Sequence, residues 1–259
     1  MTTFVPQATA EHLLQAWRSG ELLSALPDKL KPETLSQGYA AQDQLFRAAG
    51  GQRVGWKLGV GSPAARRAGG LSRPLVGQLE AARCHGNNAQ IHLPALTPVT
   101  IECEVAFVLD RDVPPESGRL PTTKDIRTTC VTFEVVRSRF VDRKSVGWPS
   151  FAADNVGFEA LVISEPLCAG IDEALLAELA ATAVVYLDGV PKAHGLSGDA
   201  ATDPLSSLAA LYAHAADRGE VLRAGDIVST GAMCAPFDLV GTGFCVSVQY
   251  FGTVLTFTL

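Results

Sequence analysis

Two stretches of alternating apolar residues commit the middle of this chain to β-sheet. From Thr100 to Leu109 the apolar side chains fall at Ile101, Cys103, Val105, Phe107 and Leu109, and from Val131 to Val136 they fall at Val131, Phe133 and Val135. That period of two sends Glu102, Glu104 and Glu134 to the opposite face of their strands. Residues two apart on a strand point the same way and lie about 7 Å apart. Glu102 and Glu104 can therefore reach one common point, and Glu134 on a neighbouring strand would close a three-oxygen face around a hard divalent cation. Clustered carboxylates in a low-dielectric setting need such a compensating charge. Oxygen-only ligation with positions left for water and substrate is the habit of Mg²⁺ or Mn²⁺. The alternative reading of the same alternation is a solvated polar face on an antiparallel strand.

The remaining segments predict an α+β chain. Thr9 could cap a helix through Trp17, and Pro32 and Glu33 would open a second helix ending at Gly50-Gly51. Arg53 to Gly59 reads as a glycine-punctuated strand, and Ser62-Pro63 as the start of a short helix. A hairpin turns on Asp188-Gly189. Asp203 caps a helix with Pro204 in its first turn and Gly219 as its stop. Strands then close the chain at Asp226 to Gly231, Phe244 to Gln249 and Thr253 to Leu259. Strands interrupted by few helices point to a rolled mixed sheet rather than a doubly wound parallel one. The division expected is a helical N-terminal region over 1–52 and a β-rich catalytic domain over 53–259.

Composition narrows the class further. A net charge of -6 with 19% charged and 47% hydrophobic residues is that of an ordinary globular protein, with no basic patch for nucleic acid. Met1 to about Pro6 lacks the features of a secretion leader, and no segment is apolar for the length of a membrane span, so a cytoplasmic protein is expected. The six cysteines show no metal spacing. Cys103 and Cys245 sit in apolar strand phases and read as buried free thiols.

Gly55 to Gly59 (Gly-Trp-Lys-Leu-Gly), Ile101 to Phe107, Glu134 to Arg139, Ala153 to Asn155, Asp203 to Ser207 and Gly225 to Gly231 follow one another in an order that resembles the fumarylacetoacetate hydrolase superfamily, over roughly residues 50 to 259. Within it the chain is most similar to the hydratase/decarboxylase branch. The resemblance implies a metal-dependent lyase of aromatic meta-cleavage catabolism, with Glu102, Glu104 and Glu134 as ligands of Mg²⁺ or Mn²⁺. Its reaction would add water to a 2-hydroxy-2,4-dienoate (2-keto-4-pentenoate), with decarboxylation of a 4-oxalocrotonate-type 2-oxo-enedioate as the alternative. Lys57 would stand in the substrate pocket and Asp154 would be the candidate acid, although an Asx-turn role suits Asp154 slightly better than direct chemistry. Leu75, Asn155, Gly157, Thr230 and Gly231 fall at substrate-binding positions. Two of these depart from the family pattern: Leu75 stands where hydratases of the branch usually carry an acidic residue, and Gly157 where the motif has a serine. Loss of a pocket acid weakens hydration chemistry more than decarboxylation. A homo-oligomer is implied, with possible association with a pathway partner enzyme. Two further readings are an acylpyruvate C–C hydrolase, for which Glu11-His12 would be the water-activating pair, and a non-catalytic partner subunit.

Overall fold

The two alternating stretches become the two longest strands of a curled mixed sheet. The computed structural model describes residues 4–94 and 97–259, so Met1 to Thr3, part of the stretch read for a leader, lie outside the described residues. In chain order the strands are Arg53–Gly59 (β1), Leu75–Glu80 (β2), Cys84–His85 (β3), Ala89–Gln90 (β4), Val99–Leu109 (β5), Ile126–Val136 (β6), Phe158–Ile163 (β7), Cys168–Ala169 (β8), Val184–Leu187 (β9), Val190–His194 (β10), Ile227–Ala232 (β11), Phe237–Leu239 (β12), Cys245–Tyr250 (β13) and Thr253–Thr258 (β14). The α-helices are Pro6–Ser19 (α1), Leu35–Ala49 (α2), Pro63–Gly69 (α3), Trp148–Ala153 (α4), Glu173–Thr182 (α5) and Pro204–Arg218 (α6).

The larger sheet runs β2-β1-β11-β5-β6-β7-β3, with β12 on β5 and β8 on β6. Its β1–β11 and β3–β7 pairs are parallel, and β5–β6 is antiparallel. A smaller sheet runs β10-β9-β13-β14-β4. The apolar face of β5 and β6 packs on it, bringing Phe133 and Phe257 to a ring separation of 5.3 Å within one core that also takes Leu208, Leu211 and Tyr212 of α6. A second core joins α1 and α2 to Phe140 and Ala153. This is the α+β architecture with a rolled mixed sheet that the segment order predicts.

Local chemistry explains most boundaries. Helix α2 starts later than Pro32 suggests, because Thr34 and Gln37 form a reciprocal capping box that satisfies two of the first turn's free N–H groups. Thr9 lies inside α1, its hydroxyl spent on the Leu30 carbonyl. Asp203, Pro204 and Gly219 bound α6 as expected. Cys245 is a correction: it is exposed, because Val246, Val248 and Tyr250 take the inward phase of β13, whereas Cys103 is buried. Among the described residues no helix is long and apolar enough to cross a membrane.

The α6–α2 contact makes acid stability testable. His214 is buried edge-on to Tyr39, with ring centroids 4.6 Å apart. Burial first, then the charges of Arg218 and Arg73, push its pKa down to about 3. Below about pH 6.5 the unfolded chain therefore takes up a proton that the folded chain refuses, and stability falls by up to about 1.4 kcal/mol per pH unit on the way toward 3. Urea unfolding of His214→Phe should show a flatter decline between pH 6.5 and 4.5 than the parent; equal slopes would exclude His214 as the cause.

Candidate metal centre and substrate cleft

Antiparallel register sets Glu102 directly opposite Glu134, and the strand period stacks Glu104 beside them. One oxygen from each carboxylate lies within 4.8 Å of the others. The solvated-face reading fails here, since Glu104 and Glu134 are wholly buried and only Glu102 is partly open. Glu104 Oε2 accepts hydrogen bonds from Ser229 Oγ (2.6 Å) and Gly231 N (2.9 Å). Ser229 is in turn 3.0 Å from Thr132 Oγ1. Lys57, buried on β1, brings Nζ to 2.9 Å from Glu134 Oε1 and donates to the Val156 carbonyl at 3.2 Å.

One ammonium does not balance three carboxylates. Burial, followed by the charges of Glu134 and Glu102, holds Glu104 well above the usual carboxylate range. Burial pushes Glu134 up to about 7 against the pull of Lys57. Glu104 Oε1 and Glu134 Oε2 are buried without a hydrogen-bond partner. Unpaired buried oxygens facing one point are a poor resting arrangement for protein alone and a suitable one for a hard cation.

Beside the cluster opens a cleft of about 680 Å³ that Glu102, partly open, helps to line. Arg143 and Lys144, from the turn after β6, supply its cations; Val60, Trp148, Phe151 and Leu196 supply apolar walls. A groove of similar size beside Asp43 and Arg53 contains none of these groups; its Arg53 pairs with its Glu220, and its Asp43 pairs with Arg218 outside it.

Of the five substrate-binding positions read from the sequence, only Gly231 lines the cleft. Leu75 is buried behind it, packed with Phe151 and Val156. Thr230 is buried with its hydroxyl on the Val105 carbonyl. Asn155 uses its amide to bind both the N–H and the carbonyl of Gln78. At Gly157, with φ +73°, a Cβ would stand 2.8 Å from Val136 Cγ1, so that position carries no reaching side chain. Asp154 is not free to act as an acid: it is buried in an ion pair with Arg139 and accepts from Ser138 Oγ at 2.9 Å. Glu11 and His12 lie on α1, with Glu11 bonded to Gln7 and neither in the cleft. The residues not foreseen are Ser229, Arg143, Lys144, Trp148 and Phe151. Ser229 lies within the Gly225–Gly231 segment, two residues from Gly231 in the same strand phase, which was the available signal.

No family model matches the chain. It is 30% identical over 261 residues to 2-keto-4-pentenoate hydratase 2 of Dechloromonas aromatica, covering 96% of this chain and 95% of that one. The chain belongs to the 2-keto-4-pentenoate hydratase family. That membership makes it an enzyme of lyase type. A 4-oxalocrotonate decarboxylase of a Pseudomonas species is 25% identical over 95% of this chain and 94% of its own. The fold matches that of 4-oxalocrotonate decarboxylase from Pseudomonas putida G7, complexed with magnesium and adipate, at a TM-score of 0.85 and 22% identity, over 100% and 99% of the two chains.

Removing one charge of the buried Arg139–Asp154 pair separates its structural role from a catalytic one. Asp154→Asn leaves Arg139 buried and uncompensated, so it should cost about 3 kcal/mol or more in denaturant unfolding. Unaltered stability with lost turnover would instead return Asp154 to the chemistry.

Proposed function

We propose that this chain is a divalent-cation-dependent hydratase that converts a 2-hydroxy-2,4-dienoate into a 4-hydroxy-2-oxo acid: water gives its hydroxyl to C4, the 2-hydroxyl loses its proton as it becomes the ketone, and C3 and C5 each gain one hydrogen, one from water and one from that hydroxyl. The observation that carries the cation dependence is the convergence of Glu102, Glu104 and Glu134 with two buried oxygens unpartnered. These three residues would hold Mg²⁺ or Mn²⁺, which supplies Lewis-acid charge to the carboxylate and 2-oxygen of the substrate. Lys57 has three N–H donors and uses two, on Glu134 and Val156, leaving one for an anionic oxygen in a desolvated setting. Arg143 and Lys144 draw the substrate carboxylate toward the cluster. Trp148 and Phe151 bound the diene and limit water to what the reaction uses.

A second reading, decarboxylation of a 2-oxo-enedioate, has its own support. Among the described residues lining the cleft, Glu102 is the sole carboxyl, so the walls offer no separate acid for carbon protonation. The hydratase reading rests on the hydratase named among relatives at 30% identity over nearly the whole chain.

Loss of ultraviolet absorbance, followed together with CO₂ release, separates the two when the protein and Mg²⁺ are given 2-hydroxypenta-2,4-dienoate or 2-oxohex-3-enedioate. Hydration of the dienoate without CO₂ from the diacid is the expected result, and the reverse would overturn it. Glu104→Gln should abolish both Mn²⁺ binding and turnover. Ser229→Ala removes one of two Glu104 donors and should weaken Mn²⁺ binding about tenfold or more by titration calorimetry. Chelator-resistant activity in Glu104→Gln would sink the metal assignment.

A further inference from the structure

Two hydroxyls are buried at the acidic cluster, one behind the other. Ser229 donates to Glu104 Oε2 at 2.6 Å, and Thr132 Oγ1 lies 3.0 Å from Ser229 Oγ. Both residues are wholly buried. Thr132 is the cross-strand neighbour of Glu104 in the β5–β6 register, and Ser229 comes from β11 on the other side of β5. A buried hydroxyl is unfavourable unless its hydrogen bonds are made, and a valine would fill the Thr132 position with the same shape and no such cost.

Counting protons fixes the direction of these hydrogen bonds. Ser229 has one hydroxyl proton, and it is spent on Glu104. The contact with Thr132 therefore runs from Thr132 Oγ1 to Ser229 Oγ, which holds the serine rotor with its proton aimed at Glu104. Gly231 N donates to the same carboxylate oxygen at 2.9 Å. A carboxylate oxygen has two lone pairs, so Oε2 is saturated, whereas Oε1 is buried without a partner. Glu104 thus keeps one oxygen open to a cation. Glu134 is divided in the same way, with Lys57 Nζ 2.9 Å from Oε1 and Oε2 unpartnered.

We propose that Thr132 is a positioning residue that, through Ser229, keeps Glu104 a one-oxygen donor and so biases the centre toward a small divalent cation, Mg²⁺ or Mn²⁺, over Ca²⁺. The role rests on the proposed cation site at Glu102, Glu104 and Glu134. Ca²⁺ takes about six to eight oxygens and readily uses both oxygens of one carboxylate, whereas Mg²⁺ holds to an octahedron in which water supplies several. Loosening Ser229 returns a lone pair to Oε2, which serves Ca²⁺ and deprives the smaller cation of a fixed ligand.

Calorimetric titration of the full-length protein with Mn²⁺ and, separately, with Ca²⁺ tests this, read as the ratio of the two affinities. The parent should favour Mn²⁺. Thr132→Val keeps the shape and removes the hydroxyl, and it should lower the ratio by about tenfold, the low end of what a group behind a metal ligand contributes. Thr132→Ser keeps the hydroxyl and should hold the parent ratio. In a Ser229→Ala background Thr132→Val should change nothing further, because Thr132 acts only through Ser229. A parent that favours Ca²⁺, a parent-like ratio in Thr132→Val, a lowered ratio in Thr132→Ser, or additive effects of the two substitutions would overturn the positioning role while sparing the three glutamates as ligands. A parent that binds neither cation would overturn the cation site and the role of Thr132 with it.

Discussion

The buried pair of Lys57 and Glu134, set among two further carboxylates, is the constraint to which the rest of the fold answers. Taking these charges out of water is unfavourable, and their mutual attraction does not offset it unless geometry is tight and other partners are present. Each neighbouring element supplies one such partner. Strand β11 gives Ser229 and the Gly231 amide to Glu104. The turn before β7 gives the Val156 carbonyl to Lys57. That turn runs through Asn155, Val156 and Gly157, all with positive φ, and a β-branched valine in the left-handed region costs about 1–3 kcal/mol. The Asn155 amide, clamped on both backbone groups of Gln78, keeps the strained carbonyl in place.

Strand β6 links this centre to the N-terminal helices. Glu134 faces the cluster, and three residues on Arg137 donates to Glu159, which also accepts from the Trp17 indole of α1 at 2.8 Å. Arg139 then takes Asp154. The helical region is thus tied by buried polar bonds to the end of the strand that presents a candidate ligand. A perturbation of α1 that shifts β6 would be felt at Glu134, because a packed interior transmits small displacements rather than absorbing them.

What the sequence made legible was periodic and local. Alternation gave β5 and β6 and the common face of the three glutamates; Asp188-Gly189 gave the hairpin; Asp203, Pro204 and Gly219 gave α6. What it hid depended on covering layers. Alternation alone could not distinguish a solvated acidic face from a buried one, since the groups set against the glutamates come from β1, β11 and the 155–157 turn, distant in sequence. Motif likeness misled around residues 154 to 157, where side chains that looked available for substrate are consumed in holding a strained corner. Arg143 and Lys144 left no periodic trace, because an irregular turn carries them to the cleft.

The division of labour in the molecule follows from that layering. The acidic cluster, fixed by buried hydrogen bonds on three strands, suits any 2-oxo acid whose carboxylate and neighbouring oxygen meet one cation, and so does not by itself choose a reaction. Choice falls to the walls. Leu75 shows how: lying behind Phe151 and Val156 rather than at the surface of the cleft, it cannot touch substrate, yet a carboxyl in its place would be buried beside Trp148 and Val60 and would reshape the wall or stay protonated. A position one layer behind the cleft wall thereby limits which side chains that wall can carry, while the placing of the three glutamates is set separately by the pairing of β5 and β6.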